Sequence, residues 1–521
     1  MAAKERYQMI IQTYAICLSS NAKSRLVYAG IKLVDYPKPF FDYPSYLQNF
    51  DSDKFRQALN TWMGMAIMNG NYVDPLNVFC RPLKRILGPI VKDCYITYPK
   101  NIFHKALNKC LEPAIKDYYS QHPRCSVTKE ITHLIFSRCN RLKSLKVYVG
   151  DEHTLSLVDM DFALLTECHN ALLNLQRFEL TIRAPSLNEG PNLRENSNIL
   201  TSLFTMMSIH ATNIQEIRMQ SYTTGLPTSV HNSLYRMIES QKMLQSFMSN
   251  YFWDARESSL FKALLNQSRS LTRLRLWGLT HFDDSLIIGL LEWNALRTFE
   301  LMGCPVSSLA ENFPNGQLKI RNVHVGNGYG SYPFITNGLL KMINLNLQKL
   351  VVEGATPEII EAVTENCPQI THLSICAYQD IFQSLPRLLS ALSLLETLIL
   401  GNQEQYLFTS ETLLQFSRSI PPSLCALFLN FNISSQALRI LLTECQAKLS
   451  ILELHQIQNK EYELFSILIQ YTKENKNLKD IKLYLAHSYG FTETASPFVL
   501  EDARNYLTIV KQKTRNIYNL W

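Results

Sequence analysis

Residues 271–279 read "LTRLRLWGL". Leu271, Leu274, Leu276 and Leu279 fit neither the 3.6-residue period of a helix nor the strict alternation of a strand, and Arg273 and Arg275 stand among them. The spacing is instead apolar-x-x-apolar-x-apolar. A short strand reached by a turn satisfies it: Leu274 and Leu276 point to one side, Leu271 packs at the approach, and Arg273, Arg275 and Trp277 point to the other side.

The same spacing begins at Leu142, Leu175, Ile214, Leu271, Leu296, Ile320, Leu347, Ile370, Leu395, Leu424, Leu449 and Leu478. A degenerate copy, Leu244 with Phe247, fills the gap and makes thirteen units. The first positions run from 142 to 478, which averages 28 residues per repeat and lies inside the leucine-rich-repeat range. Helix-start signals fall between the cores: Asp283-Asp284 before "SLIIGLLEW", Thr356-Pro357 before "EIIEAVTENC" with a capping oxygen and proline at the first helical position, and Ser434-Ser435 before "QALRILLTEC".

Each unit therefore reads as strand, turn, helix. The predicted fold class is α/β: a leucine-rich-repeat solenoid of horseshoe form, with parallel strands on the concave face and helices on the convex face. Residues 1–130 carry no repeat and are expected to form a helical cap and linker, 131–485 the solenoid, and 486–521 a closing helix and tail. Within the cap, Ile10, Tyr14 and Leu18 recur at helical spacing, which favours a packed amphipathic helix over a signal peptide. The polar stretch 184–198, "APSLNEGPNLRENSN", is expected to be a surface loop. Cysteines in "SRCNRL", "ENCPQI" and "TECQAKL" precede a first leucine by three or four residues and read as small buried hydrophobes where a helix returns to a strand.

Composition narrows the function. With 46% hydrophobic and 18% charged residues the chain folds. A net charge of +7 without long basic runs is no phosphate-binding stripe, so no nucleic-acid partner is expected. Twelve dispersed cysteines without a CxxC suit reduced thiols in a cytoplasmic or nuclear compartment, and no apolar run reaches the length of a membrane span. No G-x-S-x-G, HExxH or phosphate-loop lysine motif occurs, and no catalytic residue, cofactor or metal is expected.

Two patterns resemble chemical sites. "VHVGNGYGSYPFITNGLL", 323–340, followed by Glu353, mimics a dinucleotide fingerprint, but Gly326, Gly328 and Gly330 lack its final spacing and read as a loose repeat turn. His372, Ser374 and Cys376 share one side of a strand. His324 and His455 hold comparable positions five strands apart, about 24 Å, and cannot share a metal.

The concave face is the expected partner surface. Its candidate contacts are Arg273, Arg275, Trp277, Glu300, Val351, His372, Ile399, Phe428 and His455. The position between the last two core residues of each repeat is charged with mixed sign in the first repeats. It is largely apolar from 351 to 428, where it would form an exposed apolar patch beside Cys376 unless the C-terminal tail covers it.

Repeats such as "LTRLRLWGLTHFDDSLIIGLLEWNALRTFELMGC" are similar to those of F-box/leucine-rich-repeat proteins. "DYPKPFFDYPSYLQNFD", 35–51, resembles a stretch that follows the F-box in an expanded set of fungal F-box-like proteins. The resemblance implies a substrate receptor of an SCF-type (cullin-RING) ubiquitin ligase, in which the F-box docks on a Skp-type adaptor and the repeats choose the substrate. The F-box itself is missing: no Leu-Pro-x-Glu opening precedes "MIIQTYAICL". Either a gene-model truncation removed it or the ligase link is lost, and a free-standing scaffold or inhibitor is the alternative. On its own residues, "DYPKPFFDYPSY" reads as a structural cap more than as a peptide-recognition surface: prolines hold an extended path, and Tyr36, Phe40, Phe41, Tyr43 and Tyr46 pack on the first repeats.

Overall fold

The structure, a computed structural model, describes residues 3–28, 31, 41–68, 123–149, 169–183, 192–221, 227–250, 257–278, 289–303, 318–326, 333–377, 379–402, 410–431, 433–457, 461–475, 478, 480–485 and 508–510. The chain divides into two compact units, residues 1–254 with 262–270 and residues 255–261 with 271–521.

In the first unit the described strands are β1 (Asn49–Asp51), β2 (Ser144–Val149), β3 (Arg177–Ile182), β4 (Glu216–Ser221) and β5 (Ser246–Asn250). Each is parallel to the next, with the repeat's second core residue in register: Phe50, Leu145, Phe178, Ile217 and Phe247. Helices α1 (Ala3–Cys17), α2 (Ser20–Tyr28), α3 (Ser52–Met68) and α4 (Pro123–Arg138) precede and flank the first strands, and α5 (Asn192–His210) packs beside α6 (Thr228–Glu239). Asp51 ends β1 and caps α3, its carboxylate accepting from the backbone N–H groups of Asp53 and Lys54.

In the second unit β6 (Arg273–Trp277), β7 (Thr298–Met302), β8 (Asn322–Gly326), β9 (Lys349–Ala355), β10 (His372–Ala377), β11 (Thr397–Asn402), β12 (Ala426–Asn430), β13 (Ile451–Ile457), β14 (Asp480–Leu485) and β15 (Thr508–Val510) pair in sequence order, all parallel. Leu276, Leu301 and Val325 are register partners, as are Val352, Ile375, Leu400, Leu429 and Leu454. Helices Pro333–Ile343, Pro357–Asn366, Leu385–Ala391, Ser410–Ser419, Ser435–Glu444 and Glu461–Glu474 lie between strands and pack side by side. This is the leucine-rich-repeat α/β solenoid architecture in both units.

Burial explains the spacing. Leu271, Leu274 and Leu276 are all but fully buried, and so are Leu395, Leu398 and Leu400. Each such side chain contributes about 1.5–3 kcal/mol, and no single strand and helix could bury three of them alone. Register is fixed by a repeated backbone device at the strand entrance. The Thr272 carbonyl accepts from both Arg297 and Thr298; the Arg297 carbonyl does the same for Arg321 and Asn322, and the series continues through Arg321, Gln348, Thr371, Glu396 and Cys425. In the first unit Gln48, Lys143, Gln176 and Gln215 do the same. One carbonyl per repeat thus satisfies two N–H groups of the next.

The helix-to-strand returns are tied as well. Cys139 and Cys367 are buried, and the Cys139 thiol donates to the Leu47 carbonyl of the preceding rung at 3.1 Å. Burial pushes the Cys367 thiol up to about 12. Gln241 and Gln267 hold the equivalent position in the first unit. The Gln241 side chain accepts from Ile214 N–H at 3.0 Å, and the Gln267 amide donates to the carbonyls of Ile238 and Gln241, both at 3.0 Å.

Several expectations are corrected. Residues expected to lack a repeat contain one: Leu47, Phe50 and Ser52 form a degenerate rung, with Phe50 opposite Leu145. The tail expected to close as a helix contributes the strand Thr508–Val510, paired with Lys482–Tyr484; 486–507 and 511–521 lie outside the described residues. Half of the expected loop 184–198 is helix, since α5 begins at Asn192, and 184–191 lies outside the described residues. The buried face of α1 is Ile11 and Ala15, continued by Leu18, whereas Ile10 is 46% exposed. In the aromatic stretch Pro44 is buried within a 3-10 turn over 43–46, while Phe41, Tyr43 and Tyr46 are about half exposed, Tyr46 meeting the first repeat through Arg141, whose guanidinium lies 5.5 Å over its ring; 35–40 lies outside the described residues. Ser434 caps its helix through Ala437 N–H, but the Thr356 hydroxyl makes no cap bond, and 279–288, with Asp283 and Asp284, lies outside the described residues.

Candidate functional site

Every strand turns its alternate residues away from the leucines, so the side chains form three rows across the open face of each unit's sheet. In the second unit the first row begins Arg273, Thr298, Asn322, Lys349 and His372. The second runs Arg275, Glu300, His324, Val351, Ser374, Ile399, Phe428 and Glu453. The third carries Trp277, Met302, Gly326, Glu353, Cys376, Gly401 and Asn430.

The second row changes character along the sheet. At its start Arg275 on β6 forms an ion pair with Glu300 on β7. The Glu300 Oε2 lies 3.7 Å from His324 Nδ1 on β8, and the opposite ring nitrogen of His324 lies 3.3 Å from Glu353 Oε1 on β9. Glu300, His324 and Glu353 are each 14–15% exposed. Burial pushes Glu300 up, but hydrogen bonds from His324 and Arg275 outweigh it and hold the carboxyl below its ordinary value. Burial pushes His324 down, yet its bonds to Glu300 and Glu353 prevail and its value is raised. The same logic operates in the first unit, where Glu216 accepts from Arg177 at 2.6 Å and from Arg218 at 2.5 Å and titrates low despite burial. Lys146 pairs there with Glu179 at 2.8 Å.

Further along, the expected exposed apolar patch is absent. Val351 is 6% exposed, Ser374 6%, Ile399 5% and Glu453 2%. The physical reason is spacing: in a row of strands about 4.8 Å apart each side chain is shielded by its neighbours on both flanks, so an outward direction does not confer exposure. Val351 and Ile399 are therefore withdrawn as contact residues. Of the other candidates, Arg273 is exposed, while Arg275, Trp277, Glu300, His372 and Phe428 are half-buried. The Trp277 indole N–H is buried and has no hydrogen-bond partner among the described residues. His455 lies on β13, but its side chain falls outside the described residues. His372 Nδ1 lies 2.9 Å from the Thr371 hydroxyl, and burial lowers its value, helped by Lys349.

The register brings Arg275, Glu300 and His324 together and keeps Arg273 on the neighbouring row. It separates His324 and His455 by the five strand steps from β8 to β13. Glu353 was absent from the sequence-derived contact set because it stands one row away from His324 and reaches it diagonally. Glu216 and Arg177 are absent from that set because they occupy the first row of the first unit, whereas every sequence-derived contact lies in the second unit. Among the described residues no group of three His, Cys, Asp or Glu is placed to hold a metal ion. No described helix is long and apolar enough to cross a membrane.

No family model and no curated protein matches the chain. Solved structures that match include the Rad7 and Elc1 complex in yeast, 14% identical over 80% of this chain and 98% of that one, with a TM-score of 0.38. Another is a complex of TLR13 with ssRNA13, 13% identical over 73% of this chain with a TM-score of 0.33; the chain spans 52% of its length. Both superpositions are loose, and the repeat architecture stands on the strand register.

Proposed function

We propose that this chain is a non-catalytic protein-binding solenoid, and that it serves as a substrate receptor of the F-box type whose chemistry belongs to partner enzymes in the cytoplasm or nucleus. One observation carries the binding reading: the strands hold a set of unlike side chains, Arg273, Arg275, Trp277, Glu300, His372 and Phe428, in partly exposed rows on rigid backbone. Such a surface discriminates partners by charge and by aromatic anchors without a reacting centre. The receptor reading is supported by the sequence resemblance of the repeats and of residues 35–51 to fungal F-box-like proteins. Free thiols at Cys17, Cys139, Cys367, Cys376, Cys425 and Cys445 agree with a reducing compartment.

Affinity capture of the full chain under native conditions, with mass spectrometry, tests both levels. The wild type should retain a protein set that Arg273→Glu/Phe428→Ala loses and that Arg236→Glu, an exposed change on α6, keeps. Identical sets for all three would overturn the binding reading. A Skp-type adaptor retained by all three supports the receptor; its absence beside a retained partner leaves the scaffold or inhibitor reading.

A further inference from the structure

The glycine that mimics a nucleotide motif has a different task. Gly326 ends β8 in the third row, between Met302 on β7 and Glu353 on β9. A Cβ at this position would collide with the terminal methyl of Met302, stand 2.5 Å from its sulfur and lie 2.8 Å from Glu353 Oε2. Met302 is 8% exposed and already packed. A side chain here would have to displace the ends of Met302 and Glu353, so Gly326 leaves room for the Glu353 carboxylate, whose other oxygen reaches the ring of His324 two residues earlier in the strand.

His324 stands between carboxylates on both neighbouring strands, at 3.7 Å from Glu300 and 3.3 Å from Glu353. Protonated, the ring donates through Nε2 to Glu353 and holds Glu300 by charge at 3.7 Å through Nδ1, so it ties β7 to β9 across β8. Neutral, it donates through one nitrogen only, and the other turns a lone pair toward a carboxylate. The remaining charged groups are also placed. Arg275 approaches Glu300 from β6, and Lys349 stands at the foot of β9 opposite Asn322. Among the described residues facing His324 from β7 and β9, Glu300, Glu353 and Lys349 carry charge. The set Arg275, Glu300, His324 and Glu353 is neutral overall when the ring is protonated and carries one net negative charge when it is not.

The geometry points to a proton-operated switch on the open face: His324, held between Glu300 and Glu353 in the space that Gly326 provides, sets by its protonation both the tie across β7, β8 and β9 and the charge offered to a partner. This regulation rests on the reading of that face as a binding surface. The sign follows from the raised value of His324. The tie is complete below the ordinary 6.5 and is lost as pH rises through the higher folded value, so this cluster loses one positive charge toward alkaline pH and then favours basic groups of a partner more than it does at acid pH.

The test is a pH titration by nuclear magnetic resonance of the full chain labelled at histidine Cε1, with the His324 signal assigned through His324→Gln. The wild-type signal should titrate above 6.5. Glu353→Gln and Gly326→Ala should each move its midpoint down by about one unit, because each takes the second carboxylate away from the ring. Lys349→Gln should leave a smaller shift of opposite sign. A wild-type midpoint at or below 6.5, or an unmoved midpoint in both Glu353→Gln and Gly326→Ala, overturns the switch. Because Glu300→Gln must also lower the midpoint without altering Gly326 packing, misfolding of Gly326→Ala does not rescue a failed result. The titration needs no partner, so the switch fails or stands separately from the binding reading.

Discussion

The second row of the second unit holds two stretches on one backbone plan, and they behave differently. From β6 to β9 it presents Arg275, Glu300 and His324, half-buried and joined side to side by charge. From β9 to β11 it presents Val351, Ser374 and Ile399, buried to 5–6% exposure although their strands face the same way. Direction is set by strand alternation; accessibility is set by what stands on either flank. From β6 to β8 the long charged side chains pair with a neighbour and keep part of their surface in water, while from β9 to β11 the short or branched ones sink between their neighbours. On the binding reading proposed above, a partner would meet the charged stretch, and the apolar stretch behaves as a second layer of core.

The strongest control is on the leucine side. Leu274→Ala should destabilise by about 2–5 kcal/mol, measured by urea unfolding, through lost transfer energy and a cavity. Ile399→Ala then decides the comparison. If the apolar stretch is core, the loss should be about 2 kcal/mol or more, close to that of Leu398→Ala on the same strand. A loss under about 0.5 kcal/mol would return Ile399 to the surface as a contact residue.

The core rows were readable because period and burial coincide. Leu271, Leu274 and Leu276 could be assigned from spacing alone, since no other element buries that pattern. The rung at Leu47 and Phe50 was not readable, because Ser52 replaces its last apolar residue and its spacing to Leu142 breaks the period; only pairing with Leu145 reveals it. The strand at 508–510 was hidden likewise, since "LTIV" lies in a stretch with helical composition. The Glu300, His324 and Glu353 cluster needs the register between three strands, together with a glycine whose role is space and not φ. Left-handed glycines do occur at the same place in consecutive repeats: Gly278 and Gly303, at φ 68° and 58°, follow β6 and β7 and bond to the next strand.

The charged stretch offers a finer test. From the sequence, Arg275→Glu would be a neutral surface change. With Glu300 beside it and only 15% exposed, the substitution replaces an ion pair by two like charges, and a loss of about 1–3 kcal/mol is expected. The cluster also sets a pH window. Its Glu300 contribution, from a lowered value, is present above 4.5 and lost as pH falls through the folded value. The His324 contribution is present below 6.5 and lost as pH rises through its raised value. Thermal unfolding midpoints should therefore show the cluster's largest contribution between these limits, and in Glu300→Gln the difference from wild type should be greatest there.

The smallest effect on stability belongs to Arg273, one row away on the same strand and exposed. Arg273→Glu should change the urea midpoint by no more than about 0.5 kcal/mol, because neither cavity nor buried charge results. Its effect should fall on binding, where reversal of a charge at the rim of the face changes the association rate, the more so as salt falls. Arg275→Glu must alter both stability and binding, whereas Arg273→Glu alters binding alone. If Arg273→Glu instead lowered stability as far as Arg275→Glu, the distinction between the paired Arg275 and the exposed Arg273 would be lost, and with it the reason for placing partner contacts on this stretch of the sheet.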